Sequence, residues 1–263
     1  MIPTPRDGPL AGRCIVITRP VQQAQSLAGK IRDAGGDVIR FPVIEIVDAA
    51  DLTGFYRVVD ALDTFDWAIF VSPNAVDRAL TLIAARRTLP SALRIAAIGD
   101  ATARALARHG VSQVIAPPHG LDSEALLALP QWQAVRGARI AIFRGEGGRQ
   151  LLGDTLAARG ARVDYAECYR RRIPAADPAP LIAAWAHNAL DAFVITSSEG
   201  LENLLGMIGA EGRARLVATP VFVPHPRIAD NARRRGITLV VAAGSGDDAM
   251  VEALCAHWAH SAG

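Results

Sequence analysis

The sequence predicts an α/β protein: two similar parallel-sheet domains joined by a two-stranded β-ladder, with the functional site in a cleft between them. Three observations lead to this prediction. Short β-branched runs alternate with helical patterns, glycine follows several of the helices, and the two halves of the chain resemble each other. The length of 263 residues agrees, because at roughly 150 residues per domain it fits one large domain or two ordinary ones.

The strands and helices follow from local patterns. Ten short runs rich in Val, Ile, Phe and Ala, bounded by turn residues, predict strands at 14–18, 37–41, 67–71, 94–98, 113–116, 139–143, 162–165, 191–195, 221–223 and 238–241. Apolar residues at 3.6-residue spacing predict helices that include 24–34, 74–86, 101–109, 150–159 and 228–235. We expect Gly35, Gly110, Gly160 and Gly236 to end four of these helices, since glycine adopts the left-handed conformation of a C-terminal cap.

The chain matches itself at an offset of 125 residues. The matched pairs include Gly35 with Gly160, Val38 with Val163, Asp66 with Asp191, Ser72 with Ser197 and Leu80 with Leu205. Several consecutive blocks share this register, which indicates two copies of one α/β unit of about five strands.

Two segments interrupt the alternation of strands and helices. Residues 40–47 (RFPVIEIV) and 166–173 (AECYRRRI) each extend a strand and precede a turn and a new helix. We expect them to pair as the ladder between the domains, with Tyr169 overlooking the cleft.

Composition excludes several classes of protein. The 28 basic and 26 acidic residues give a net charge of +2, too small for a general nucleic-acid coat or a polybasic membrane anchor. Lys30 is the only lysine. The many arginines suit carboxylate binding, but a GC-rich genome explains them better.

Compartment signals favour the cytoplasm. The three cysteines are widely spaced and predict neither a disulfide framework nor a zinc site. Residues 1–13 lack the apolar core of a signal peptide and predict a short disordered leader, and no apolar run approaches the 18 or so residues of a membrane span.

Ligands of parallel sheets bind beyond the carboxyl ends of the strands, so the turns there are the candidate site. After one strand, FRGEGGRQ opens a helix and offers unpaired backbone N–H groups to an anion, with Arg144 and Arg149 placed to clamp a carboxylate. The alternative is that Gly145 and Gly147 only form the turn. A dinucleotide fingerprint would need glycine where Gln150 stands.

The remaining turns offer hydroxyl and basic side chains. Ser72, in VSPNAV, and Ser197 or Ser198, in ITSSEG, are expected to cap helices, and the amides of the same helix turns suit an acidic ligand. His225 either binds an anion or packs in its turn. Cys255, His257 and His260 do not converge on one helix face, and we expect no metal.

Together the motifs resemble the uroporphyrinogen-III synthase family, from Arg13 to about Trp258. The motifs are VITRP (16–20), FVSPNAV (70–76), AIGDATARAL (97–106), FRGEGGR (143–149), ECYRR (167–171), ITSSEGL (195–201) and HPRIADNARRRG (225–236). The resemblance implies that the chain crosses between domains: 12–40 with 174–260 form the first, 47–166 the second, and 41–46 with 167–173 the ladder.

The resemblance also implies an activity. Hydroxymethylbilane, a linear tetrapyrrole with eight carboxylates, would lose water and close to uroporphyrinogen III through a spiro intermediate that inverts ring D. No cofactor is implied, and the expected protein is a monomer in transient contact with hydroxymethylbilane synthase. Our remaining hypothesis is a two-lobed anion-binding or nucleotide-binding protein without catalysis.

By position, Tyr169 resembles the family tyrosine that assists departure of the hydroxyl. Thr102 matches a family threonine, whereas HPRI at 225–228 stands where many members have Gly-x-x-Thr. The other residues expected to contact the substrate by this resemblance or by the turn chemistry above are Arg19, Ser72, Asn74, Arg144, Gly145, Arg149, Ser197, Ser198 and Arg227.

Overall fold

The structure is a computed structural model that describes residues 7–118 and 122–259. These residues form eleven strands: β1 Cys14–Ile17, β2 Asp37–Arg40, β3 Glu45–Asp48, β4 Trp67–Phe70, β5 Arg94–Ala97, β6 Val114–Ile115, β7 Arg139–Gly145, β8 Arg162–Arg172, β9 Ala192–Val194, β10 Val221–Val223 and β11 Val240–Ala242. The α-helices are α1 Val21–Asp33, α2 Thr53–Asp60, α3 Pro73–Ala84, α4 Asp100–Arg108, α5 Ser123–Leu127, α6 Leu151–Ala158, α7 Ala179–Ala186, α8 Ser198–Met207, α9 Gly209–Leu216, α10 Pro226–Arg234 and α11 Asp247–Ala259. Nowhere in these ranges is a helix both long and apolar enough to cross a bilayer.

The chain divides into two compact units. Of the described residues, unit 1 contains those up to Glu45 and those from Arg172 onward, and unit 2 is the stretch Ile46–Arg171. The sheet of unit 1 has the order β11-β10-β9-β1-β2, with every neighbouring pair parallel. The second sheet has the order β3-β8-β7-β4-β5-β6, and the pairs from β8 to β6 are parallel. The predicted α/β fold with two parallel sheets is confirmed.

Neither unit is one of the two repeated halves. Strand β1 begins 125 residues before β7, and β4 begins 125 residues before β9, as the repeat requires. Each half contributes its first two strands to one sheet and its last three to the other, and β3 of the first half is an additional strand at the edge of the second sheet. If β9, β10, β11, β1 and β2 of unit 1 are numbered 1 to 5, the order of the sheet is 3-2-1-4-5. Numbering β4, β5, β6, β7 and β8 of unit 2 in the same way gives the same order.

The central strands β4, β7, β9 and β10 are buried on both faces, as parallel sheets covered by helices require. In β4 all four residues are buried. One apolar cluster lies on each side of each sheet: those of unit 2 include Phe143 and Trp132, and those of unit 1 include Phe193 and Ile15.

The four glycines predicted to end helices do so. Gly35, Gly110, Gly160 and Gly236 have φ between 80° and 91°, and the next N–H bonds back to the helix in each case, as Gly36 does to the Ile31 carbonyl at 2.9 Å. This is the Schellman arrangement, which satisfies carbonyls that the helix end leaves open.

One expectation about the backbone needs correction, and one holds. The ladder segment 166–173 extends the strand predicted at 162–165, as expected, and the two form one strand, β8, because no turn residue separates them. Its neighbour β3 arises from the other ladder segment, and the Arg172 Nε donates to Glu45 at 2.7 Å. The leader is not disordered over residues 7–13: Leu10 is fully buried and donates its N–H to the Ala34 carbonyl. Residues 1–6 lie outside the described residues.

Candidate functional site

In unit 2 the topology opens a crevice between β4 and β7. These strands are neighbours, yet the chain leaves β4 through α3 toward β5 and leaves β7 through α6 toward β8. At such a switch point the connections diverge and leave space beyond the carboxyl ends of the strands. Ser72 follows β4 and Gly145 ends β7, so both lie at this crevice.

A pocket of about 240 Å³ occupies the crevice, and we call it the β4–β7 pocket. The polar residues that line it include Ser72, Arg144, Arg149, Tyr165, Tyr169 and Arg171. Ligand pockets for drug-sized molecules measure about 300–1,000 Å³, so this pocket suits one part of a larger ligand.

Tyr169 closes one wall of the β4–β7 pocket. Its side chain is almost fully buried, and its hydroxyl lies 3.1 Å from the Ser72 Oγ. The Ser72 Oγ also accepts the Ala75 N–H at 3.1 Å, which caps α3 and fixes the hydroxyl pair. The phenol therefore faces the pocket from strand β8, supported by the cap of α3.

Gly145 makes room for the Tyr169 ring. An irregularity in the pairing of β7 with β8 brings Gly145 opposite Tyr169. A Cβ at position 145 would lie 2.7 Å from ring carbons of Tyr169, closer than side chains pack. The glycine of the FRGEGGRQ run is thus required by the tyrosine, in addition to forming the turn.

Arg144 is buried behind the loop that connects β7 to α6. Its Nε donates to the Gly145 carbonyl at 3.2 Å, Nη1 donates to the Arg149 carbonyl at 3.4 Å, and Nη2 donates to the Gly148 carbonyl. The guanidinium also stacks over the Tyr165 ring, 4.7 Å from its centroid, and lies 3.6 Å from the Glu167 carboxylate. The Arg144 guanidinium is therefore in contact with three loop carbonyls, an aromatic ring and a carboxylate of the protein itself.

The other predicted residues of unit 2 lie near the same sheet edge. Arg149 is exposed and lies 3.6 Å from the Glu124 carboxylate, so it and Arg144 do not form a symmetrical clamp. Asn74 is half-buried in the first turn of α3. Thr102 is buried in the first turn of α4, after β5.

In unit 1 the predicted residues gather at the equivalent edge, beyond β1, β9 and β10. Arg19 forms an ion pair with Asp247 at 2.5 Å. Ser197 caps α8 by accepting the Gly200 N–H at 2.9 Å, and Ser198 is the first residue of that helix. Arg227 is exposed in the first turn of α10, after His225, whose Nε2 lies 3.3 Å from the Ser245 Oγ.

Sequence reasoning missed two residues that line the β4–β7 pocket. Tyr165 and Arg171 lie on β8 at an even spacing from Tyr169. Alternate residues of a regular strand share a face, so the spacing of two residues from Tyr169 was an available signal for Arg171, given that 166–173 was expected to extend the strand. It does not apply to Tyr165, because the register shift lies between Tyr165 and Tyr169 and the two rings pack with different apolar clusters.

Burial shifts two ionisable groups of β8 toward their neutral forms. It raises the pKa of Tyr165, opposed by the nearby Arg144 guanidinium. Burial also raises the pKa of Cys168, which lies one residue before Tyr169 on the core side, to about 12. Among the described residues, no group of three His, Cys, Asp or Glu side chains is arranged to hold a metal ion, and His260 lies outside them.

Comparison with known proteins gives one consistent result. Residues 25–252 match the HEM4 family model, uroporphyrinogen-III synthase HemD. The uroporphyrinogen-III synthase of Salmonella typhimurium is 36% identical over 91% of this chain and 99% of its own length. That of Escherichia coli K12 is 34% identical over 91% of this chain and 99% of its own.

Solved structures share the fold. Uroporphyrinogen III synthase of the extremely thermophilic bacterium Thermus thermophilus, as a triple mutant, has a TM-score of 0.62 and 20% identity, covering 94% of this chain and 99% of that one. Uroporphyrinogen-III synthetase of Helicobacter pylori 26695 has a TM-score of 0.58 and 16% identity, covering 95% of this chain and all of that one.

Proposed function

This chain belongs to the uroporphyrinogen-III synthase family, and we propose that it cyclises hydroxymethylbilane to uroporphyrinogen III with loss of water. Family membership makes it a lyase of tetrapyrrole biosynthesis and favours this activity over binding without catalysis. The product would serve haem, sirohaem or cobalamin synthesis. A cytoplasmic monomer in transient contact with hydroxymethylbilane synthase is part of the proposal.

The chemistry that we propose begins with departure of the substrate hydroxyl as water. The azafulvene that remains is attacked at the substituted carbon of ring D, which gives a spiro intermediate. This intermediate fragments and recloses with ring D inverted. Closure without an enzyme gives isomer I, so the main task of the protein is to orient a reactive chain.

Tyr169 is the residue that we propose assists the departing hydroxyl, by donating a hydrogen bond or a proton. The observation that carries this proposal is its hydroxyl at the β4–β7 pocket, 3.1 Å from the Ser72 Oγ. The Ser72 hydroxyl accepts one N–H from α3 and is held in place to orient the phenol. The pocket volume suits one pyrrole ring with its substituents rather than the whole tetrapyrrole.

We propose that the substrate carboxylates bind to amides, hydroxyls and arginines at the carboxyl ends of the strands. The residues of unit 1 in this role are Arg19, Ser197, Ser198 and Arg227, and those of unit 2 are Ser72, Asn74, Thr102, Gly145 and Arg149, with Arg144 acting at the loop that it contacts. First-turn amides and the helix dipole favour negative charge, so no cofactor is required.

Product typing tests the proposed function. Purified protein receives hydroxymethylbilane made in place by the preceding synthase, and the product is oxidised and separated into isomers. We expect isomer III in excess over the spontaneous isomer I. Isomer I alone, at the rate of the reaction without protein, would contradict the proposal.

A further inference from the structure

Arg144 and Arg171 both line the β4–β7 pocket, but the Arg144 side chain is buried and Arg171 is exposed. The Arg144 side chain is only 6% exposed, and its donors are directed at the carbonyls of Gly145, Gly148 and Arg149. A ligand carboxylate would have to displace these contacts. The burial of Arg144 and its contacts with these carbonyls therefore suit a residue that holds the β7–α6 loop in place from the protein interior.

The contacts of Arg144 set the direction of the loop amides. In a trans peptide the C=O and N–H point in opposite directions. Because the carbonyls of Gly148 and Arg149 turn toward the guanidinium, the N–H groups of Arg149 and Gln150 turn away from it. Gly148 permits this approach, since a Cβ there would lie 2.7 Å from the Arg144 Nη2.

Arg171 lies on the open side of the same pocket. It follows Tyr169 by two residues on β8, so both side chains share one face of the strand. Arg171 is exposed and lines the pocket, where its planar fork can bind a carboxylate through two parallel hydrogen bonds. Arg170, between them, belongs to the opposite face.

We propose that Arg171, rather than Arg144, binds a substrate carboxylate beside Tyr169, and that Arg144 is a positioning residue for the loop. The inference rests on the proposed function. The carboxylate concerned belongs to the pyrrole ring that loses its hydroxyl, because that ring must lie against the phenol. Holding it there strengthens binding of the substrate and the transition state alike.

Steady-state kinetics of Arg171→Gln test the first half. Loss of a hydrogen bond between charged groups predicts a KM for hydroxymethylbilane that rises about tenfold, with kcat changed less than about twofold. Arg171→Lys keeps the positive charge but lacks the planar guanidinium that makes two parallel hydrogen bonds, and it should raise KM by a smaller factor. The matched control is Arg170→Gln, which removes an arginine from the other face of the same strand and should leave both constants unchanged.

The outcomes separate this inference from the proposed function. Isomer III from the unaltered chain with an unchanged KM in both Arg171 variants overturns the inference alone. Isomer I alone from the unaltered chain overturns the proposed function and the inference with it. If Arg170→Gln also raised KM tenfold, the effect would come from the loss of any positive charge on β8, and this result would contradict the role of Arg171.

Hydrogen exchange of the loop amides tests the role of Arg144. We expect Arg144→Lys to speed exchange at residues 146–150 and to lower kcat, because one ammonium cannot contact three carbonyls in the same geometry. Gly148→Ala keeps every charge but crowds the guanidinium, and it should speed exchange in the same residues. Unchanged exchange in either variant, together with a raised KM alone, would show that Arg144 binds the carboxylate itself.

Discussion

At the scale of single residues, the site depends on close approach between side chains and backbone. Tyr169 packs against Gly145 and contacts Ser72, and Arg144 contacts three carbonyls of one loop. The residue types were predictable from the turn sequences. Their contacts were not, because the pairing irregularity at Arg144 and Gly145 decides which side chains face the pocket.

Cys168 gives a residue-scale prediction that depends on burial. Its side chain has no exposed surface, and burial raises the thiol pKa to about 12. Only the thiolate reacts with iodoacetamide, so we expect Cys168 to remain unlabelled in the native protein at pH 8 and to react after denaturation. Mass spectrometry of digested protein measures this, and labelling of native Cys168 at the denatured rate would contradict the predicted burial.

At the scale of secondary-structure elements, local sequence signals were sufficient for the helix ends. The four glycines that end helices were recognisable because glycine readily adopts the left-handed conformation in which a Schellman arrangement satisfies the open carbonyls. The extent of β8 followed from the expectation that 166–173 extends the strand before it. Arg171 was missed although it belongs to the motif ECYRR, because the register shift between β7 and β8 decides which side chains of β8 face the pocket.

Gly110 tests the helix-end interpretation. Its φ is +80° and a Cβ there would meet no atom within 4 Å, so the cost of Gly110→Ala is conformational alone. We expect a loss of about 1–2 kcal/mol in the free energy of unfolding. Gly29→Ala is the matched control, since Gly29 lies inside α1 with equally open space and should gain about 0.5–1 kcal/mol. Urea denaturation measures both, and a neutral or stabilising Gly110→Ala would contradict the interpretation.

At the scale of the whole molecule, the repeat predicted two similar units but not their composition. Periodicity showed two copies, whereas each unit combines strands of both copies. The exchange leaves local patterns unchanged, because every strand keeps its own hydrophobic sequence and its own turn. Only the resemblance to a family predicted that the chain crosses between domains.

The division into units makes unit 2 separable. Ile46–Arg171 is one continuous stretch with its own clusters on both faces of the sheet. We expect this stretch, expressed alone, to unfold cooperatively with a urea m-value smaller than that of the full chain, since m scales with the surface exposed. Circular dichroism during a urea titration measures this. A broad transition without cooperativity would contradict the assignment of a separate core.

The central claim is that the substrate hydroxyl departs in the β4–β7 pocket. The rate at which Tyr169→Phe forms isomer III tests this claim most directly. General acid assistance typically contributes at least about a hundredfold, so we expect a loss of that order with the fold retained. Tyr56→Phe, which removes a phenol on α2, should retain the full rate. Isomer III formed at the unaltered rate by Tyr169→Phe would contradict the claim.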